Sequence, residues 1–188
     1  MNGIYYPEMI SPKCFKEALE YKPQPDDVFI DTYPKPGSNW MQNVALYIFL
    51  KGKALEEPLK SLQGAPFIEM LGMEGINSMS RPGAFKTHLP YSQLSYSPEA
   101  KYIFVARNPK DCCVSFFHHA RDQPGFGFWD GEFDDFFELF ITEVVYNGYF
   151  NHLLDWYPHC NDPNVFYTRF EDMKKDMTTH TQCSAEAL

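Results

Sequence analysis

Three short stretches of this sequence hold residues whose types and spacing could handle an anion and move a proton. The first is Thr32-Tyr33-Pro34-Lys35-Pro36-Gly37-Ser38-Asn39-Trp40, which follows the β-rich run from Val28 and leads into an apolar stretch ending at Leu50. A helix beginning there offers N–H groups without intrahelical partners and the positive end of a dipole. Gly37 lets the backbone approach an anion closely. Lys35 adds a mobile charge, Ser38 and Asn39 add donors, and Trp40 could stack on a purine. The order is not that of a Walker A loop, in which Gly, Lys and Ser/Thr follow one another; here Lys35 precedes Gly37, which weakens a kinase or NTPase reading.

The second stretch, Phe85-Lys86-Thr87-His88-Leu89-Pro90, puts a histidine at the end of a predicted strand. Parallel α/β sheets bind ligands outside the carboxyl ends of their strands, and an imidazole there titrates in the range suited to removing a proton near neutral pH. The third runs from Tyr102 to Asp111, with Arg107 at a strand end and Ser115 one to two turns into the following helix. A guanidinium presents a fork of donors to a phosphate, and Ser115 adds a hydroxyl. Each stretch also has a plain structural reading: a strand–turn–helix junction, a packed histidine, and a surface pair between Arg107 and Asp111.

Patterning predicts the elements that must position these groups. Ser11-Pro12 starts a helix running to about Tyr21. Strands are expected at 28–32, 84–87, 101–106 and 165–168, and helices from Ser38 or Asn39 to Leu50, from Pro109 to about Ala120, over 132–146 and 149–157, and from Phe170. Residues 52–81 are hard to read, with one short helix possible around 59–62, and 123–131 is a Gly-rich aromatic loop. Strands alternating with helices predict an α/β fold: a parallel sheet with helices on both faces.

The net charge of −9 argues against a general nucleic-acid binder but not against one anionic nucleotide held by a few local cations. The 17% aromatic share suits an apolar acceptor cavity as well as a core. Five irregularly spaced cysteines without a CxxC read as neither a disulfide framework nor a zinc site, so no metal and a reducing compartment are expected. The N-terminus lacks a signal-peptide pattern and the longest apolar run, 44–50, is too short to span a bilayer; a cytoplasmic location is the expectation.

The first stretch resembles the 5′-phosphosulfate loop of the cytosolic sulfotransferases, usually Tyr-Pro-Lys-Ser-Gly-Thr-Thr-Trp, with Pro36, Ser38 and Asn39 as departures. Lys-Thr-His-Leu-Pro at 86–90 resembles the family's catalytic-base motif, and Arg-Asn-Pro-Lys-Asp with the later Val-Ser resembles its 3′-phosphate motif. The string 165–176 resembles a further family stretch in which Phe170 replaces an adenine-contacting Tyr. Residues 133–156 resemble a helical segment, and Pro66-Phe67-Ile68-Glu69 resembles a segment lining the acceptor pocket.

The resemblance implies a P-loop-like sheet and 3′-phosphoadenosine 5′-phosphosulfate as donor, with 3′-phosphoadenosine 5′-phosphate as product. It implies His88 as base, with Lys35 and Lys86 as catalytic cations. Lys35, Pro36, Gly37, Ser38, Asn39, Trp40, Arg107, Ser115 and Phe170 are the implied nucleotide contacts. The acceptor is expected to be a small phenol, amine or steroid-like molecule in a pocket lined by Tyr5, Tyr6, Phe67, Phe117, and also by Phe116 and the 126–129 loop. The likeness covers 33–176, which sets residues 1–176 apart as the sulfotransferase-like domain and 177–188 as a divergent, disordered tail. The family's Arg-Lys-Gly motif and dimerisation segment do not occur in the sequence, so a binding protein without turnover is the competing expectation. An unrelated P-loop phosphotransferase is a third.

Overall fold

The computed structural model describes residues 5–52, 65–79 and 81–187. The helix expected around 59–62 lies outside them. Four strands, β1 (Val28–Asp31), β2 (Ala84–Thr87), β3 (Lys101–Ala106) and β4 (Val165–Arg169), form one parallel sheet in the order β2-β1-β3-β4. Side chains alternate across its two faces, as strand geometry requires. Phe29, Phe85, Tyr102 and Phe104 enter one core, whereas Val28, Ile30, Ala84, Ile103 and Val105 enter the other. Both faces are therefore apolar and both must be covered.

Helices supply the cover. The first core takes side chains from α1 (Pro12–Glu20), α3 (Ile68–Ser78), α4 (Pro109–Asp122), α5 (Phe133–Ile141) and α6 (Tyr149–Trp156). The second takes Met41, Val44 and Ala45 from α2 (Ser38–Phe49) and Met173 from α7 (Phe170–Lys175). The expected parallel sheet with helices on both faces is observed. In this order the chain goes from β1 to β2 on one side, whereas β3 and β4 lie on the other. The carboxyl ends of β1 and β3 thus flank a topological switch point, where a crevice opens.

Several elements differ from expectation. Gly37, at φ 113°, is the N-cap of α2 rather than Ser38 or Asn39, and no side chain caps this terminus. Helix α3 was illegible because Gly72 (φ 57°) and Gly75 interrupt its pattern. Helix α5 stops at Ile141, since Glu143, Tyr146 and Asn147 all adopt positive φ and Val145 instead bridges to Tyr5. The tail is not disordered: Met177–Ala187 forms α8. Asp176 caps it by accepting from the Thr179 backbone N–H (3.0 Å) and hydroxyl (2.5 Å), and Ser184 is fully buried. Polar composition alone had missed that cap.

Candidate active site

The 33–37 loop leaves β1 at the switch point and is pinned from three sides. The Tyr33 hydroxyl donates to the Val145 carbonyl at 3.0 Å, the Cys112 thiol donates to the Pro34 carbonyl at 3.3 Å, and Arg107 Nη1 donates to the Lys35 carbonyl at 2.9 Å. These contacts hold Lys35 at φ 76°, a left-handed conformation that costs a non-glycine residue of the order of 1 kcal/mol or more. Lys35 thereby stands two residues before the Gly37 N-cap of α2, whose first-turn N–H groups have no capping side chain. Burial, and then the neighbouring Arg107 charge, lower the Lys35 pKa.

Gly37 completes the cradle. A Cβ there would lie 2.7 Å from Phe170 Cδ2, and φ is already in the left-handed region. Gly37→Ala is therefore expected to lose about 1–3 kcal/mol of stability, read by urea denaturation. An unchanged unfolding midpoint would contradict this packing.

Arg107 leaves the end of β3. Its guanidinium lies over the Phe170 ring, 4.4 Å from the centroid, its carbonyl accepts from the Tyr149 hydroxyl, and its buried Nε has no protein partner among the described residues. An orphaned buried donor beside a helix N-terminus and two lysines gathers donors and positive charge suited to an anion.

His88 follows β2. It is 5% exposed, with its Nδ1 2.6 Å from the Thr32 carbonyl. A carbonyl only accepts, so Nδ1 carries the hydrogen and Nε2 keeps its lone pair. Burial, and secondly Lys86, hold the imidazole pKa well below its ordinary value, so the ring is neutral at pH 7. Phe67 packs edge-on at 4.9 Å and Tyr146 at 5.6 Å. Lys86 Nζ donates to Asn39 Oδ1 at 3.3 Å and lies 4.9 Å from the Phe67 centroid, and burial brings its pKa down to about 8.

One cavity of about 420 Å³ joins these groups. Lys35, Gly37, Ser38, Asn39, Lys86, His88, Arg107, Ser115 and Phe170 all line it, as does Phe67. Other expected residues lie elsewhere. Pro36 faces Tyr149 and His152 beneath the loop, and Trp40 packs edge-on against Phe170 at 5.3 Å. Tyr5 lines a separate apolar cleft, with its hydroxyl donating to the Phe126 carbonyl. Tyr6 packs on Phe15 and Tyr146, and Phe117 on Phe133 and Phe136 inside the helical layer. Phe116 is fully buried against Tyr33 and Phe126, and Trp129 is exposed.

A model of the sulfotransferase domain matches residues 25–186. The chain belongs to the sulfotransferase family. It is 34% identical to the amine sulfotransferase of Oryctolagus cuniculus over 90% of its own length and 58% of that protein's, and 31% identical to sulfotransferase 6B1 of Mus musculus over 100% and 63%. A mouse sulfotransferase crystallised with PAP superposes with a TM-score of 0.80 at 30% identity, over 100% of this chain and 66% of that one. A retinol dehydratase complexed with retinol and PAP shares the fold, with a TM-score of 0.73 at 21% identity. The chain therefore spans 58–63% of the length of these two curated relatives. Among the described residues no helix is long and apolar enough to cross a membrane.

Phe126, from the expected 126–129 loop, lines the cavity of this sulfotransferase-family chain, and beyond the residues that the sequence singles out Met9, Gln42, Met70, Leu71, His119, Gln123 and Tyr146 join it. His119 was within reach of sequence reasoning, because it stands four residues after Ser115 on the same face of α4. Burial, and then Lys35 and Lys86, lower its pKa to about 4, so it too is neutral at pH 7. Tyr146 sits at φ 51°, a conformation that sequence patterning does not reveal.

Proposed function

We propose that this chain carries a sulfuryl-transfer site that uses 3′-phosphoadenosine 5′-phosphosulfate as donor and a small, largely apolar hydroxyl or amine as acceptor. The observation that carries the reading is the single cavity in which the neutral His88, the Lys35 loop at the N-terminus of α2 and the orphaned Arg107 donor converge. The nucleotide supplies the sulfuryl group and leaves as 3′-phosphoadenosine 5′-phosphate.

The chain's own groups divide the remaining work. Lys35, Ser38, Asn39 and the first-turn N–H groups of α2 set positive potential where the 5′-phosphate is held. Arg107 and Ser115 serve the 3′-phosphate, and Phe170 offers a ring face beside them. The lone pair on His88 Nε2 accepts the acceptor's proton, while the Thr32 carbonyl keeps the tautomer fixed. Met9, Phe67, Met70, Leu71 and Phe126 form the apolar wall that takes a flat acceptor and excludes water. The solved mouse relative with PAP supports the nucleotide class. The five cysteines, all free, suit a reducing, cytoplasmic setting.

The pH dependence follows from two of these groups. His88 is already neutral at pH 6.5, so acidification through that value does not remove the base. Lys86 is cationic below about 8 and loses its charge above. The expected profile of kcat/KM for the donor is flat across pH 6.5 and falls as pH rises through about 8. A drop centred at 6.5 would contradict the assignment of His88. The direct test is mass-spectrometric detection of sulfated product from a panel of phenols and amines with the nucleotide donor. Transfer to at least one supports the reading, and nucleotide binding without transfer to any of them limits the chain to a binding role.

A further inference from the structure

We propose that Glu69 is the positioning residue of this site: its carboxyl group fixes the backbone of His88 and so aims the base. The inference rests on the reading of His88 as the group that accepts the acceptor's proton.

The geometry begins at the outer edge of β2. Pro66 and Phe67 run alongside that edge, with the Lys86 N–H donating to the Pro66 carbonyl at 2.8 Å and Phe67 bridging in parallel to Lys86. Helix α3 starts one residue later, so Glu69 falls in its first turn, level with the end of β2. There the strand ladder has finished, and the N–H groups of the departing chain need other acceptors. Glu69 Oε1 takes the His88 N–H at 2.5 Å and the Thr87 hydroxyl at 3.1 Å, and the Thr87 hydroxyl oxygen in turn takes the Leu89 N–H at 3.1 Å. Residues 87–89 thus hang from one carboxyl group.

His88 has a second anchor, the Nδ1–H bond to Thr32 on the opposite side. The two constrain different parts of the residue. Thr32 sets the ring rotation and tautomer, and Glu69 sets where the Cα sits. An imidazole held at both ends loses little freedom when an acceptor arrives, which is the condition for efficient proton transfer.

Glu69 does not act on the acceptor itself. It is 1% exposed and does not line the cavity. Its other oxygen, Oε2, is buried without a protein partner among the described residues. Burial raises its pKa to about 8, against the lowering by the His88 N–H, so the group is largely a neutral acid at pH 7. Glutamine is then its isostere, with a carbonyl oxygen still placed to accept from His88.

The test follows the His88 ring by NMR in the full chain labelled with 15N-histidine, with His88→Ala identifying its signals. Wild type and Glu69→Gln are expected to show the Nδ1–H tautomer, unprotonated through about pH 6.5. In folded Glu69→Ala the His88 Cα is free to drift, which pulls Nδ1 off the Thr32 carbonyl, so averaged tautomers and a pKa moved toward the ordinary value of about 6.5 are expected, with the His152 signals unmoved. Where Glu69→Ala does not fold, Glu69→Asp, one methylene too short to reach the His88 N–H, is expected to give the same signature. A folded variant of either kind with unaltered His88 signals would overturn the proposal. In a transfer assay, Glu69→Ala is expected to lose roughly tenfold to a hundredfold in kcat with the donor KM unchanged, and Glu69→Gln to restore it. Should the wild type bind no nucleotide, the reading of the site fails while the NMR comparison still decides Glu69.

Discussion

Replacing His88 by alanine is expected to lower the rate of sulfuryl transfer by roughly 10²- to 10⁴-fold, the usual contribution of a general base. Nucleotide affinity should stay within about threefold, since His88 offers the anion no charge in its neutral state. The size of the effect follows from the absence of a substitute within the cavity among the described residues. His119 shares it and is also neutral, but its ring packs against Phe116 and Phe126, with no carbonyl fixing a tautomer among the described residues. Lys86 is a cation at neutral pH and holds no lone pair until pH exceeds about 8. His88→Gln, which keeps a polar group of similar reach but cannot take a proton, should be as slow as alanine. Single-turnover rates at saturating donor would read both variants, and a variant within tenfold of wild type would remove His88 from the role of base.

The second large effect is expected at Arg107. Arg107→Ala deletes a fork of donors, one of which is buried without a protein partner, and releases the bond to the Lys35 carbonyl. Each charge-assisted hydrogen bond to a phosphate contributes about 1.5–3 kcal/mol, so the loss amounts to roughly tenfold to a hundredfold in affinity for 3′-phosphoadenosine 5′-phosphate. The released loop adds to this, because Lys35 at φ 76° relies on its pins. Arg107→Lys should recover only part, since an ammonium cannot reproduce the fork or the stacking over Phe170. Equilibrium dialysis with labelled nucleotide at fixed salt would measure both. Equal affinities for wild type and Arg107→Ala would place the 3′-phosphate elsewhere.

What the sequence revealed, and what it hid, divides along physical lines. The strands were legible because β1 and β3 run apolar residues on both faces of a covered sheet, and β2 ends in His88-Leu89-Pro90, which announces a turn. Lys35, Gly37, His88, Arg107 and Ser115 were legible because their placement depends only on strand ends and a helix start. The acceptor pocket was less so. Aromatic type does not say which way a ring faces: Phe117 follows Phe116 by one position, about 100° around α4, and both rings are buried within the helical layer instead of reaching the cavity. Tyr5 and Tyr6 go to neighbouring layers through the bridge between Tyr5 and Val145, a pairing 140 residues distant in sequence that no local pattern encodes. The stretch 66–69 shows in sequence only its likeness to a pocket-lining segment, whereas Glu69 does not line the cavity and only the tertiary fold brings it beneath His88.

The most direct test of the central claim is a calorimetric titration of 3′-phosphoadenosine 5′-phosphate into the folded chain, alongside Lys35→Ala. The account predicts saturable binding at one site in the wild type, with affinity reduced at least about tenfold in the variant by loss of the loop's charge. Absence of binding by folded wild type, or equal affinity in the two proteins, would contradict it.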